Sequence, residues 1–210
     1  MPHKFFWTVA VLAAISFALL QITTAREESY ILDNQEQAGK VLDRPSKASG
    51  RADIGGNFSL ITHEGNPVTD QDFIGKPTLV FFGFTHCPAI CPTDLAVLSN
   101  VLEQLGDESN KVNVLFVTVD PQRDTVEKLK NYMKDFHSSI IALTGTDEQL
   151  KEAAEGYKIF ARKIENPMME GYMFDHSAYT YLMDKKGEYV THFNHDSDPD
   201  AIISRLRQQF

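Results

Sequence analysis

Two cysteines, the chain's whole complement, stand at positions i and i+4 in Thr85-His86-Cys87-Pro88-Ala89-Ile90-Cys91-Pro92. If the turn between them is helical, that spacing puts both sulfurs on one face. It also brings their Cα atoms to roughly 6 Å, inside the range a disulfide tolerates. Such a pair can clamp a soft metal ion or close reversibly into a disulfide. A helix N-terminus there would stabilise the thiolate at Cys87 and Cys91 through its unpaired amides and dipole. A purely stabilising disulfide is the weaker reading, because so short a loop removes little entropy from the unfolded chain. The gap is one residue wider than the two-residue spacing of a redox motif.

Two thiolates do not complete a metal site, and histidine is the natural third donor. Seven are present: His3, His63, His86, His137, His176, His192 and His195. His176 stands out in Tyr172-Met173-Phe174-Asp175-His176-Ser177-Ala178-Tyr179, immediately before an apolar strand. The others have plainer readings. His63 falls in a turn, and His137 ends a helix, where it can meet the last carbonyls. His86 tunes Cys87 or points to solvent. His192 and His195, with Asp196 and Asp198, read as a polar surface at a strand end rather than a second divalent-metal site. Met168, Met169 and Met173 can in principle hold Cu(I), but methionines in a loop more often serve as adaptable packing.

The elements that position these residues follow from the hydrophobic pattern. Pro77-Thr78-Leu79-Val80-Phe81-Phe82-Gly83-Phe84 reads as a buried strand running into the cysteine turn, and 92–105 as the helix after it. A strand is expected over 56–62, a second buried strand over 112–119, and short strands over 140–143, 177–183 and 189–193. Asp124-Thr125-Val126-Glu127 has the form of a capping box opening a helix to about residue 136, and Thr146-Asp147-Glu148-Gln149 opens another. Asp198 caps a last helix. The order predicts an α/β fold, a thioredoxin-like central mixed sheet flanked by helices. In that fold, a strand, a cysteine turn and a helix carry the reactive thiols. The loop that enters the strand after His176 then lies beside the cysteine turn.

The chain has 210 residues, 42% hydrophobic and 23% charged, with a net charge of −9. This argues against nucleic acid as a partner, which needs a basic face. The uncharged run 5–22 follows Lys4 and reaches the length needed to span a bilayer. Residues 1–25 are therefore expected to be a membrane anchor or a signal segment, with Thr23-Thr24-Ala25 as a candidate cleavage site. Residues 26–52 form a polar tether and 53–210 the domain. Either version places the domain outside the cytoplasm, where disulfides are permitted.

Phe82-Gly83-Phe84-Thr85-His86-Cys87-Pro88-Ala89-Ile90-Cys91-Pro92 resembles the signature of the Sco/SenC proteins, assembly factors of cytochrome c oxidase. Val119-Asp120-Pro121-Gln122-Arg123-Asp124-Thr125 and Asp175-His176-Ser177 resemble that family's second and third motifs. The resemblance implies a copper chaperone, here expected to be a monomer anchored by a single pass in the inner (cytoplasmic) membrane and facing the periplasm. Cys87, Cys91 and His176 would bind copper, as Cu(I) and also Cu(II), for the copper-A subunit of the oxidase, with other copper chaperones as further partners. It also implies thiol-disulfide activity at Cys87 and Cys91, so the alternative is an oxidoreductase that reduces the acceptor's cysteines. The chemistry agrees: two thiolates and an imidazole make a soft, incomplete shell suited to Cu(I), whereas structural zinc takes four ligands. A peroxide-reducing enzyme on the same scaffold would have only Thr85 and Arg123 to recommend it. Where family members often carry an acidic residue between the cysteines, this chain has Ala89. That departure should ease thiolate formation and shift the balance towards redox work or Cu(I).

Overall fold

The protein is described as a computed structural model over residues 53–165, 172–195 and 197–210. The expected membrane segment and tether lie outside these residues, as do Met168, Met169 and Asp196. Among the described residues no helix is long and apolar enough to cross a membrane.

Strand β3 (Thr78–Gly83) is buried at every position, as expected of a strand covered on both faces. It pairs in parallel with β4 (Asn113–Thr118), and β4 in parallel with β5 (Ile140–Thr144). Strand β1 (Ser59–Thr62) lies antiparallel to β5 and is edged by β2 (Pro67–Thr69). On the other side β8 (Tyr179–Met183) runs antiparallel to β3, and β9 (Tyr189–Asn194) closes the hairpin. The seven-stranded order is β2-β1-β5-β4-β3-β8-β9. This is the mixed, thioredoxin-like sheet that the sequence predicts.

Alternation along each strand divides the core in two. Leu79, Phe81, Val114 and Phe116 face α1 (Ile90–Leu105), α2 (Val126–Tyr132) and α4 (Pro199–Arg207), through Leu95, Leu98, Leu129, Ile203 and Leu206. Val80, Phe82, Leu115 and Val117 face α3 (Asp147–Gly156), through Leu150 and Ala153. Four phenylalanines, Phe81, Phe82, Phe84 and Phe116, are almost wholly buried, each contributing about 1.5–3 kcal/mol of transfer free energy.

The Thr146 capping box forms as expected, with Gln149 as its partner, and Asp198 caps α4 by accepting from the Asp200 amide. The Asp124 box does not form. The N-cap of α2 is Thr125, whose side chain accepts from the Lys128 amide, while Asp124 is wholly buried and engaged elsewhere.

A second difference is a separate two-stranded ribbon, β6 (Ala161–Glu165) with β7 (Tyr172–His176). The sequence pattern reads this stretch as loop, because β6 is exposed at every position and shows no alternation.

The chain enters the domain at the far end of the sheet from the cysteines. There the Gly55 amide donates to the Gly156 carbonyl. Gly55 stands at φ +103°, a conformation that side-chain-bearing residues rarely adopt, beside the Met183 side chain.

Candidate metal and thiol site

The cysteine turn leaves the C-terminal end of β3. Its first fixed point is Phe84, buried, whose carbonyl accepts from the Cys87 amide at 3.2 Å. Its second is Thr85, whose amide and hydroxyl both donate to the Asp124 carboxylate, at 3.0 and 2.6 Å. The α1 helix then starts without a side-chain oxygen at its N-cap, Ala89. The first amides of a helix need acceptors, and here the Cys91 amide donates to Cys87 Sγ at 3.4 Å. Cys87 thus lies just outside the helix and Cys91 in its first turn. The two sulfurs are brought together at the helix start without being joined as a disulfide.

Cys91 is completely buried and Cys87 partly exposed. Gly83 makes room for the buried sulfur: a Cβ there would sit 2.8 Å from Cys91 Sγ and 2.7 Å from Phe116 Cε2. The sequence predicts that the helix N-terminus stabilises a thiolate at both cysteines. For Cys91 the structure corrects this, since its thiol is pushed well above its ordinary range. The hydrogen bond with Cys87 is the largest cause, followed by burial and then by the charge on Cys87. Two neighbouring sulfurs do not both ionise readily without a cation between them. Asp94, a buried carboxylate one turn along α1, adds to the effect and lies 3.7 Å from His195 Nδ1.

The segment Asp120-Pro121-Gln122-Arg123-Asp124 reads from sequence as a local turn, and the structure gives it a tertiary role. Register places Thr118 opposite Gly83, and the Val119 amide donates to the Gly83 carbonyl at 2.8 Å, so this loop and the cysteine loop leave the sheet side by side. Asp124 takes two hydrogen bonds from Thr85 and a third, at 2.6 Å, from the buried Thr118 hydroxyl. Asp120, also buried, is ion-paired to Arg123 Nε and accepts from the Tyr172 hydroxyl at 2.7 Å. Arg123 Nη1 donates to the Tyr172 carbonyl at 2.9 Å. Its guanidinium also lies 3.8 Å from the centre of the Tyr172 ring. One short loop therefore braces the cysteine turn through Asp124 and the β6–β7 ribbon through Asp120 and Arg123. Tyr172 was not singled out by sequence, although Arg123 was.

His176 is the last residue of β7, opposite Ala161, and its imidazole lies outside what is described. The next residue, Ser177, donates its amide to the Phe160 carbonyl. Strand β8 then begins where β3 ends, since Phe81 pairs with Thr180. The topology thus brings the backbone of residues 176–178 to the end of the sheet that carries the cysteines. Phe174, two residues earlier, meets Phe84 at 5.6 Å between ring centres.

Among the described residues, His63, His137 and His192 take structural or surface positions. His63 Nδ1 accepts from the Ala142 amide, and His137 Nδ1 from the Ser139 amide. His192 bonds the Tyr189 hydroxyl and packs against Tyr179. Among the described residues no group of three or more His, Cys, Asp or Glu side chains is arranged to hold a metal. What they do provide is two adjacent sulfurs, one buried and one accessible, which is a soft and incomplete donor set.

A family model described as SCO1/SenC matches residues 46–210. The mitochondrial SCO1 homolog 1 of Arabidopsis thaliana is 36% identical over 203 residues, covering 94% of this chain but 60% of that protein, so the chain spans less than two thirds of that relative's length. An SCO2-like protein of Rickettsia conorii is 39% identical over 157 residues, 74% of this chain and 77% of its own. The structure of Bradyrhizobium japonicum ScoI with copper bound superposes with a TM-score of 0.71 at 39% identity, covering 75% of this chain and 99% of that one. The chain belongs to the SCO1/SenC family.

Proposed function

We propose that this chain binds copper as cargo through Cys87, Cys91 and His176 and passes it to the copper-A site of cytochrome c oxidase. The observation that carries the reading is the contact between the Cys91 amide and Cys87 Sγ. It gathers two soft donors at the start of α1, in a chain 39% identical to a ScoI solved with copper. In this reading the buried Cys91 sulfur holds the metal away from water, and the accessible Cys87 lets an acceptor's ligands enter. The shell is left incomplete so that ligand exchange can proceed. His176 closes the site from the β7 end. Residues 1–25 anchor the chain in the inner membrane with the domain in the periplasm, and 26–52 give it reach.

Anaerobic Cu(I) titration of the reduced full chain, against its His176→Ala variant and a competing chelator, tests this. One-to-one binding that weakens by more than about tenfold, 1.4 kcal/mol, in the variant is the expected result. Binding indifferent to His176 overturns the three-donor site.

The adjacency of the two sulfurs also favours a second activity, reduction of the acceptor's disulfide before the metal arrives. The Cys87 thiolate attacks one acceptor sulfur and expels the other as a thiolate, which takes the Cys91 proton. Cys91 Sγ then attacks Cys87 Sγ and expels the first acceptor sulfur as a thiolate, leaving a cystine here and a reduced pair on the acceptor. His176→Ala should spare this exchange.

A further inference from the structure

We propose that Arg123 and Tyr172 form a latch, with Asp120 as its fixed half, that sets where the β6–β7 ribbon stands relative to the cysteine loop. They act as positioning residues for the ligand carried at the end of that ribbon. The inference rests on the copper site proposed above.

An isolated two-stranded ribbon is marginal by itself, and β6–β7 shares no ladder with the main sheet. It must be held by side chains. Tyr172, the first residue of β7, is gripped at three points by one ion pair whose carboxylate is buried. Its hydroxyl donates to Asp120 Oδ1 at 2.7 Å, its carbonyl accepts from Arg123 Nη1 at 2.9 Å, and its ring lies under the Arg123 guanidinium. Lys163 of β6 approaches the same ring at 3.5 Å, so both strands of the ribbon meet there. Asp120 is 1% exposed, which makes the anchor rigid.

Alternate residues of a strand share a face, and 172, 174 and 176 are such a set. Two of the three are seen to fasten to the body of the domain, Tyr172 on Asp120 and Phe174 on Phe84. The strand is thereby set in rotation and in height before it reaches His176. The loop that supplies the latch also fixes the cysteine turn through Asp124. Both halves of the donor set are thus referred to the same few residues. A metal site built from two distant segments needs such a common reference, because ligand placement within a fraction of an ångström governs affinity.

The test uses the full chain with Tyr172→Phe, which removes one hydroxyl, and Arg123→Lys, which keeps the charge but loses the fork. Each is made alone and combined with His176→Ala. Cu(I) affinity is read by chelator competition, and amide hydrogen exchange is read over 161–165 and 172–176, with β3 and β4 as internal controls. The latch predicts an affinity loss of about 10- to 100-fold in each single variant, the range seen when outer-sphere partners of metal ligands are removed. It predicts no further loss in the His176→Ala background, and faster exchange confined to the ribbon.

Where His176→Ala weakens binding, unchanged affinity in the latch variants, or an equal loss whether or not His176 is present, overturns it. Faster exchange throughout β3 and β4 marks general destabilisation and also counts against it. If His176→Ala alone leaves copper binding intact, the site proposal fails. The latch then stands or falls on exchange in the ribbon.

Discussion

Replacing Asp124 should do more damage than its place at the start of a helix suggests, because it is the keystone between two motifs and not a cap. Its carboxylate is wholly buried and accepts three hydrogen bonds. In Asp124→Ala the buried Thr118 hydroxyl is stranded at about 2 kcal/mol. Thr85 is only partly buried, so water can reach its two donors, and each costs about 1 kcal/mol. Together these give about 4 kcal/mol, against a total of about 5–15 kcal/mol for an ordinary domain. Asp124→Asn makes a sharper comparison. Its amide oxygen can stand where Oδ2 stands and keep the bonds from the Thr85 amide and the Thr118 hydroxyl. Its NH2 then donates to Thr85 Oγ1, which is free to turn and accept. Only the loss of charge remains, at about 1–2 kcal/mol. Guanidinium unfolding of the metal-free, reduced protein at neutral pH measures both. An alanine variant within about 1 kcal/mol of the parent refutes the keystone argument, as does an asparagine variant as damaged as the alanine one.

Two further predictions concern buried groups near the thiols. The Tyr132 hydroxyl is buried with no hydrogen-bond partner among the described residues, so Tyr132→Phe should raise thermal stability, by about 1 kcal/mol; a fall in the melting temperature would contradict it. The second concerns pH. Folding raises the Cys91 pKa above its ordinary value near 9.0, so below pH 9 the thiol is protonated in both states and its contribution is whole. As pH rises past 9 the unfolded chain loses the proton while the folded chain keeps it, and stability must fall. Tyr157 and Tyr181, raised from 10.0 mainly by burial, extend the decline to higher pH. Denaturation of the reduced apoprotein from pH 7 to 11, with Cys91→Ser as the control that lacks the first part of the fall, checks the sign.

What the sequence makes legible here is what local rules decide. Strand β3 shows itself by an unbroken apolar run, the cysteine spacing by counting, and the Thr146 box by two residues that satisfy each other at short range. Asp124 fits the same box template and departs from it, because three donors brought by the fold compete for its oxygens and win. The β6–β7 ribbon escapes notice for a related reason. Residues such as Arg162 and Lys163 carry no alternation, and the ribbon's attachment runs from Tyr172 to Arg123 and Asp120, 49 and 52 residues away in sequence. The raised Cys91 thiol departs from the sequence expectation because helix position can be read from spacing, whereas burial and the approach of Cys87 exist only in three dimensions.

The domain is entered at Gly55, beside Gly156 and Met183, while β3 carries the thiols out at its other end. A strand of that length is about 20 Å from end to end. Gly55 and the two sulfurs therefore mark opposite poles of the sheet. A label or a surface coupling placed at the Gly55 pole leaves the thiol pole uncovered.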